Sequence, residues 1–239
     1  MYCDDGASFC FAELNQASNP RSNTYNLYPV MKKLILFSLL ITAAISGKAQ
    51  RVTAISLQHS AKAIRSVEIS AGNVVIVVNG NGKVRLYPNS DGQIAYGTAY
   101  DGEYSLGKIT SVGNTPVRYY SKFDGDEMVG KLKSVGDINI AYIDKFDGFD
   151  NIGKVKAVGN IAFKYNNRFD GFDNNGKLKA VGNIPVSYYD RFDNDEINGK
   201  VKAIGQATFT YYDRFDSGEN TGHIKAISGS NAGLEILVD

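Results

Sequence analysis

The chain of 239 residues contains no tryptophan, only two cysteines and two histidines, and no excess of charge of either sign. Both cysteines, Cys3 and Cys10, lie near the N-terminus, so the patterned remainder has neither a disulfide nor a thiolate metal site. A formal net charge of +1 leaves no basic surface of the kind that nucleic acid requires. We therefore expect no nucleic-acid partner, and a fold stabilised by packing and hydrogen bonds.

The two histidines, His59 and His223, are far apart in the sequence. A catalytic triad, a histidine-based zinc site or a histidine base needs convergent partners, and neither histidine falls in a motif that supplies them. We therefore predict that the protein is not an enzyme.

Residues 31–49 have the layout of a secretory signal peptide. Met31-Lys32-Lys33 precedes the apolar segment 34–46, and Gly47 and Ala49 form a small-x-small cleavage site. The apolar run is shorter than the ~20 residues that a spanning helix needs. We expect export to the periplasm, the cell surface or the extracellular space, and a mature chain from about Gln50 without a transmembrane segment. Residues 1–30 are then a non-native upstream extension; the alternative is a true N-terminal extension before a membrane anchor.

The remaining sequence is built from a 23-residue repeat. Gly-Lys pairs open units at Gly107, Gly130, Gly153, Gly176 and Gly199, with a half unit at Gly222 and a degenerate unit from Gly82. Atypical end units are expected in repeat arrays. We therefore divide the mature chain into N-terminal capping strands at 50–81 and a repeat domain at 82–239.

Each unit has the pattern of a β-hairpin. The segment "GKVKAV" at 153–158 leads into Gly159-Asn160, and "IAFKYNNRF" at 161–169 then alternates between apolar and polar residues. Glycine at the first position of a two-residue loop favours a type II′ turn. The predicted fold is all-β, a repetitive antiparallel meander of about six β-hairpins that form an elongated twisted sheet. The alternative, a parallel β-solenoid, would align like charges such as Lys154 and Lys177 at about 4.8 Å.

The segment "FDGFDNIGKVKAVGN" at 146–160 resembles the MORN repeat, a family of β-hairpin units that stack into a long curved sheet. The resemblance runs from about Tyr100 to Ile227 and implies a scaffold or surface-binding role. The sequence departs from the family pattern in having no tryptophan, and in replacing the second glycine of its Gly-x-Gly by Ser134, Ala157 or Ala180.

Aromatic residues recur at fixed positions of the unit. Two rows are predicted to form the core: Tyr119, Tyr142, Tyr165, Tyr188 and Tyr211, and Phe123, Phe146, Phe169, Phe192 and Phe215. A third row, Tyr120, Tyr189 and Tyr212, falls on the face shared with lysine and arginine. Exposed tyrosines can stack on sugar rings or pack against a protein. We therefore predict a ligand-binding site at Tyr120, Tyr189, Tyr212, Arg191 and Arg214.

The loops between hairpins are acidic. Asp147, Asp150, Asp170 and Asp173 are candidate calcium ligands, because calcium binds carboxylate, carbonyl and amide oxygens. Aspartate, asparagine and glycine are also what tight loops select, so turn formation is the alternative explanation. No other cofactor is expected.

Repetition itself favours binding over catalysis, because an enzyme site needs one unlike constellation and here the same residues recur in every unit. We expect a secreted binding or scaffold module for a polysaccharide, a cell surface or a protein partner. The alternative is a non-catalytic accessory part, or a calcium-binding repeat, of a glycan-processing system.

Overall fold

The structure, a computed structural model, describes residues 50–58, 60–89, 92–216 and 218–238. The predicted signal peptide, the segment before it and His59 lie outside these residues. The described part is all-β, and its helices are single 3-10 turns at Ala99–Asp101, Lys122–Asp124, Asp126–Met128, Phe172–Asn174 and Gly218–Asn220. None of the helices in this part is long or apolar enough to span a membrane.

Seventeen strands are present in the described residues. They are β1 (Arg51–Leu57), β2 (Ile64–Ala71), β3 (Val74–Asn79), β4 (Val84–Pro88), β5 (Ile94–Tyr96), β6 (Ile109–Val112), β7 (Thr115–Tyr119), β8 (Leu132–Val135), β9 (Ile138–Tyr142), β10 (Val155–Val158), β11 (Ile161–Tyr165), β12 (Leu178–Val181), β13 (Ile184–Tyr188), β14 (Val201–Ile204), β15 (Ala207–Tyr211), β16 (Ile224–Ser228) and β17 (Glu235–Val238). They form a sheet of twelve strands and a sheet of five.

The twelve-stranded sheet, which we call the repeat sheet, contains β5 to β16 in sequence order. Its neighbouring strands pair antiparallel, with β5 and β16 as single strands outside five complete hairpins. The predicted antiparallel meander is thus confirmed, and the parallel solenoid is wrong. Adjacent repeats are separated by two strands, so equivalent charges are about 10 Å apart instead of about 5 Å.

Local chain geometry explains the shape of each hairpin. Gly159 and Gly182 open their turns with φ of 55° and 56°, a region that glycine enters freely and that a type II′ turn requires at this position. Register pairing inside the β10–β11 hairpin covers only Val158↔Ile161 and Ala157↔Ala162. Beyond these pairs each strand pairs with the neighbouring hairpin, through a register shift such as the one between Lys164 and Tyr165.

The five-stranded sheet, which we call the cover sheet, has the order β17-β1-β2-β3-β4, with β17 parallel to β1 and the other pairs antiparallel. It includes the predicted capping segment and, in addition, β4 and β17. Ile55, Val67 and Ile76 of the cover sheet are fully buried in the same apolar cluster as Val155 and Phe209 of the repeat sheet. The apolar face of the repeat sheet is therefore covered by the chain itself.

The segment from Gly82, expected as a degenerate repeat, belongs to the cover sheet. Its strand β4 pairs with β3 over its whole length, from Val74↔Pro88 to Val78↔Val84. The resemblance to "GKVKAV" reflects only a glycine turn followed by alternation, which many hairpins share. The repeat sheet begins at Ile94.

Side-chain amides of the cover sheet bind the turn ends of alternate hairpins. The Nδ2 of Asn73 donates to Val112 O (2.7 Å), Nε2 of Gln50 to Val158 O (2.8 Å), and Nδ2 of Asn231 to Ile204 O (2.8 Å). At the other end of the strands, Val155 N donates to Gly82 O (3.1 Å) and Val201 N to Ala61 O (2.8 Å). These bonds fix the cover against the repeat sheet at both strand ends.

Candidate functional site

The loops opposite the glycine turns expose a row of phenylalanines. Phe123, Phe146, Phe169, Phe192 and Phe215 recur once in each repeat unit and are 83–89% exposed, and Tyr100 at the same position is fully exposed. The prediction that this row is core is wrong. Strand β13 ends at Tyr188, and the Asp190 carboxylate then accepts a hydrogen bond from Phe192 N (2.8 Å). Strand alternation therefore does not extend to Phe192.

A cation precedes and covers each of these rings. The charged groups of Lys122, Lys145, Arg168, Arg191 and Arg214 lie 4.9–5.8 Å from the centre of the following phenylalanine ring. Such cation–π contacts contribute about 0.5–1 kcal/mol at exposed sites. Two predicted binding residues, Arg191 and Arg214, thus lie in this row. We call the five phenylalanines and their preceding cations the loop edge.

The aspartate after each phenylalanine holds the loop. Asp170 accepts a hydrogen bond from Lys179 Nζ (2.5 Å) and one from Asn167 N (3.0 Å), and Asp147 is bound in the same way by Lys156 and by Asp144 N. The hydrogen bond from Lys179, followed by that from Asn167, lowers the pKa of Asp170. These carboxylates therefore stay ionised and fasten the loop edge to the neighbouring strand.

The four candidate calcium ligands do not converge. Asp147 and Asp170 are bound as described, Asp150 pairs with Arg168 Nε (3.2 Å), and Asp173 accepts from Asn198 Nδ2 (3.2 Å). Over the described ranges, no three histidine, cysteine, aspartate or glutamate side chains gather in a group that could hold a metal ion. Each carboxylate thus has its own cation or amide partner.

Tyr120 and Tyr189 are not the exposed row that alternation predicts. Both are half-buried, and their hydroxyls donate to Ile140 O and Phe209 O, each at 2.8 Å. Each ring packs edge-on against a buried tyrosine of the next hairpin at a centroid distance of 5.9 Å. Tyr212, also half-buried, has Lys225 Nζ 5.7 Å from its ring centre. These tyrosines follow the last strand residue, where the sheet alternation used for the prediction has ended.

Three of the four buried tyrosines of the row bridge the open part of their own hairpin. Tyr188 Oη donates to Leu178 O (2.8 Å), ten residues earlier in the same hairpin, and Tyr142 and Tyr211 make the equivalent bonds to Leu132 O and Val201 O. Burial raises the pKa of Tyr188, so the hydroxyl keeps its proton and remains a donor. The ten residues between each tyrosine and its carbonyl can be read from the sequence. The separation of the two hairpin strands, which makes room for this bond, cannot.

A row of lysines connects successive units. Lys108, Lys131, Lys154 and Lys177 each donate through Nζ to the carbonyl of the glycine 22 residues later, at 2.6–3.1 Å. The last lysine, Lys200, donates instead to Ser60 O (2.7 Å), in the loop that joins β1 and β2 of the cover sheet. Burial lowers the pKa of Lys177. These lysines, for which the sequence analysis predicted no binding role, bind backbone and are therefore structural.

The phenylalanines of the loop edge are large apolar side chains that lie exposed at the same position of every repeat. The loop edge combines rings that contact solvent with cations already held against them. Comparison with known protein families finds no matching family model, and no curated protein matches the chain.

Proposed function

We propose that this protein is an exported, non-enzymatic binding module that holds an extended polysaccharide of a cell surface along its loop edge. The observation that carries the proposal is the row of five exposed phenylalanines at one position of the repeat unit. Soluble proteins rarely expose large apolar side chains in a continuous set unless the set meets a partner. The resemblance to the MORN repeat also favours a surface-binding role.

Periodicity points to the kind of partner. Each hairpin adds two strands, so successive phenylalanines are about 10 Å apart along the sheet. A surface that repeats the same group at regular intervals suits a polymer that does the same, whereas a folded protein presents unlike groups. Weak contacts at several loops then add up, because the first contact raises the effective concentration for the others.

Each loop offers complementary chemistry for a sugar. The open face of a phenylalanine such as Phe192 can pack on the C–H face of a sugar ring, as aromatic side chains provide a flat apolar surface. The guanidinium of Arg191 at 5.2 Å adds planar hydrogen-bond donors for hydroxyl or carboxylate oxygens. The neighbouring aspartate is bound to lysine and so fixes the loop instead of the ligand.

The ionisable groups support binding without catalysis. Glycoside hydrolysis uses one carboxyl group with a raised pKa as general acid. Hydrogen bonds from lysines instead lower the pKa of Asp147 and Asp170, and the same arrangement recurs in each unit. The calcium-binding alternative is less favoured, since lysine or arginine already binds Asp147, Asp150 and Asp170.

The test uses the double variant Phe169→Ala/Phe192→Ala on a panel of immobilised neutral and acidic polysaccharides. We expect the wild-type protein to bind at least one of them, and the variant to bind it at least tenfold more weakly. The matched control, Asn139→Ala/Thr208→Ala, changes two exposed strand residues next to the glycine turns, at the opposite end of the strands from the loop edge, and should bind normally. The control should unfold within ~0.5 kcal/mol of wild type, as for exposed substitutions. The phenylalanine variant loses two cation–π contacts and should lose no more than ~1–2 kcal/mol, so it stays folded.

Two outcomes would contradict the proposal. If the folded phenylalanine variant binds as well as wild type, the loop edge is not the binding surface. If wild type binds none of the polysaccharides but does bind a protein partner, the ligand class is wrong.

A further inference from the structure

The two ends of the repeat sheet are complementary halves of one unit. Strand β5 occupies the place of a second hairpin strand, since Ile94 and Tyr96 lie one repeat length before Val117 and Tyr119 of β7. Strand β16 occupies the place of a first strand, one repeat length after β14. Among the described residues, β5 and β16 each have a single neighbour in the sheet.

We propose that β16 of one copy pairs with β5 of a second copy, which completes a hairpin between them and assembles the protein head to tail. The junction would join a first hairpin strand, β16, to a second hairpin strand, β5, in the same way as inside each repeat. No new kind of contact is therefore needed. The proposal is independent of the ligand at the loop edge.

Burial at equivalent positions supports the junction. Ile227 of β16 is 43% exposed, whereas its equivalents Val158, Val181 and Ile204 are fully buried. Tyr96 of β5 is 58% exposed, whereas Tyr142, Tyr165, Tyr188 and Tyr211 are 7–9% exposed. End units of repeat proteins normally carry a polar outer face. Here the ends keep the apolar residues that the inner units bury.

The cover sheet does not protect these ends. Its amide contacts reach the β6–β7, β10–β11 and β14–β15 turns, inside β5 and β16. An unprotected edge strand is a template for pairing with another chain.

The inner hairpins define the register of the junction. Their pairs Val158↔Ile161 and Ala157↔Ala162 correspond to Ile227↔Gly92 and Ala226↔Gln93 between copies. The carbonyl of Ile94 would then point towards β16. The equivalent carbonyl of Ile140 points towards its hairpin partner β8 and accepts the hydrogen bond from the Tyr120 hydroxyl.

Tyrosines of the two end units can make the same hydrogen bonds as those of the inner units, with carbonyls supplied across the junction. Tyr212 occupies the position of Tyr120 and Tyr189, whose hydroxyls bind a carbonyl 20 residues later in a strand. Twenty residues after Tyr212 is Ala232, which lies in a turn. In the junction, Ile94 O of the second copy takes that place. Tyr96 would in turn donate to Ile224 O, as Tyr211 does to Val201 O, and pack edge-on against Tyr212.

Such a contact is heterologous, because the two edges differ, and it forms an open chain of copies unless rotation closes a ring. The purified protein should show a concentration-dependent series of masses in sedimentation velocity. Tyr96→Glu places a charge at one end and Ile227→Glu at the other, both at positions that the single copy exposes.

The decisive experiment mixes the two blocked variants. Each alone should be monomeric, because every junction needs both ends. The equimolar mixture should form a dimer and nothing larger, since the intact β16 of one variant meets the intact β5 of the other. Tyr87→Glu, at a 47% exposed position of the cover sheet, is the matched control and should assemble like wild type.

Tyr212→Phe provides a second measurement that does not rely on an introduced charge. It should weaken assembly several-fold and leave urea unfolding of the monomer unchanged. A wild-type protein that stays monomeric up to its solubility limit would overturn the proposal. A mixture of the two variants that does not dimerise would also overturn it. A single blocked variant that still assembles would do the same, because it would indicate a symmetric contact.

Discussion

The tyrosine bridges across the open hairpins can be tested with two equivalent residues that differ in one hydrogen bond. Tyr165 and Tyr188 occupy the same position in adjacent units and are 8% and 9% exposed. Tyr188 Oη donates to Leu178 O at 2.8 Å. The buried hydroxyl of Tyr165 has no hydrogen-bond partner within the part of the chain that the structure describes. The same substitution at the two sites therefore isolates the bond.

Tyr188→Phe should lower the free energy of unfolding by ~1–3 kcal/mol, because it leaves the buried Leu178 carbonyl without a donor. Tyr165→Phe removes a hydroxyl that is buried without compensation, so it should change stability by less than ~0.5 kcal/mol or increase it. Urea melts followed by circular dichroism give both values, provided the denaturant slope stays constant. Equal losses in the two variants would refute the bridging role.

Two further predictions concern the cover sheet and the loops. Gly82→Ala should lower the free energy of unfolding, measured in urea melts, more than Gly72→Ala does. Both glycines have positive φ (79° and 69°), which costs an alanine roughly 1–2 kcal/mol. An added Cβ at Gly82 would also lie 2.4 Å from the Lys154 Cβ, whereas no atom lies within 4 Å of an added Cβ at Gly72. Equal losses of stability in the two variants would show that the cover sheet does not pack closely against Lys154 of the repeat sheet. The hydrogen bond from Lys133, followed by those from Ser121, lowers the pKa of Asp124 to about 2, against about 3.9 unfolded. Its stabilisation is fully present well above pH ~4 and is progressively lost as the pH falls to ~2 and below, so the melting-temperature difference between wild type and Asp124→Asn should shrink over that range. A difference as large at pH 2 as at pH 6 would contradict this.

Periodicity made the repeat sheet predictable. A repeat unit with a Gly-Asn turn, as at Gly159-Asn160, specifies a hairpin because only glycine readily takes the positive φ of its first turn position. Charge then selected the meander, since a solenoid would stack lysines such as Lys154 and Lys177 on adjacent strands. The inward row from Tyr142 to Tyr211 also follows from alternation within regular strands.

Prediction failed where regular strands end. Phe192 was assigned to the core by continuing the alternation beyond Tyr188, but the Asp190 carboxylate binds Phe192 N and turns the chain outwards. Tyr189 was assigned to an open face, but its hydroxyl reaches Phe209 O in the next hairpin. Both errors have one cause: a period of two describes only residues with strand geometry.

The sequence by itself determined the class of fold, the length of each unit and the position of its turns, because these depend on backbone propensity and alternation within a few residues. Only the tertiary structure decided what covers the apolar face. The cover depends on long-range pairing, such as β17 beside β1 and Asn73 against Val112, to which no local pattern refers. The same packing covers the inner units with five strands and leaves Ile227 and Tyr96 exposed at the two ends of the repeat sheet.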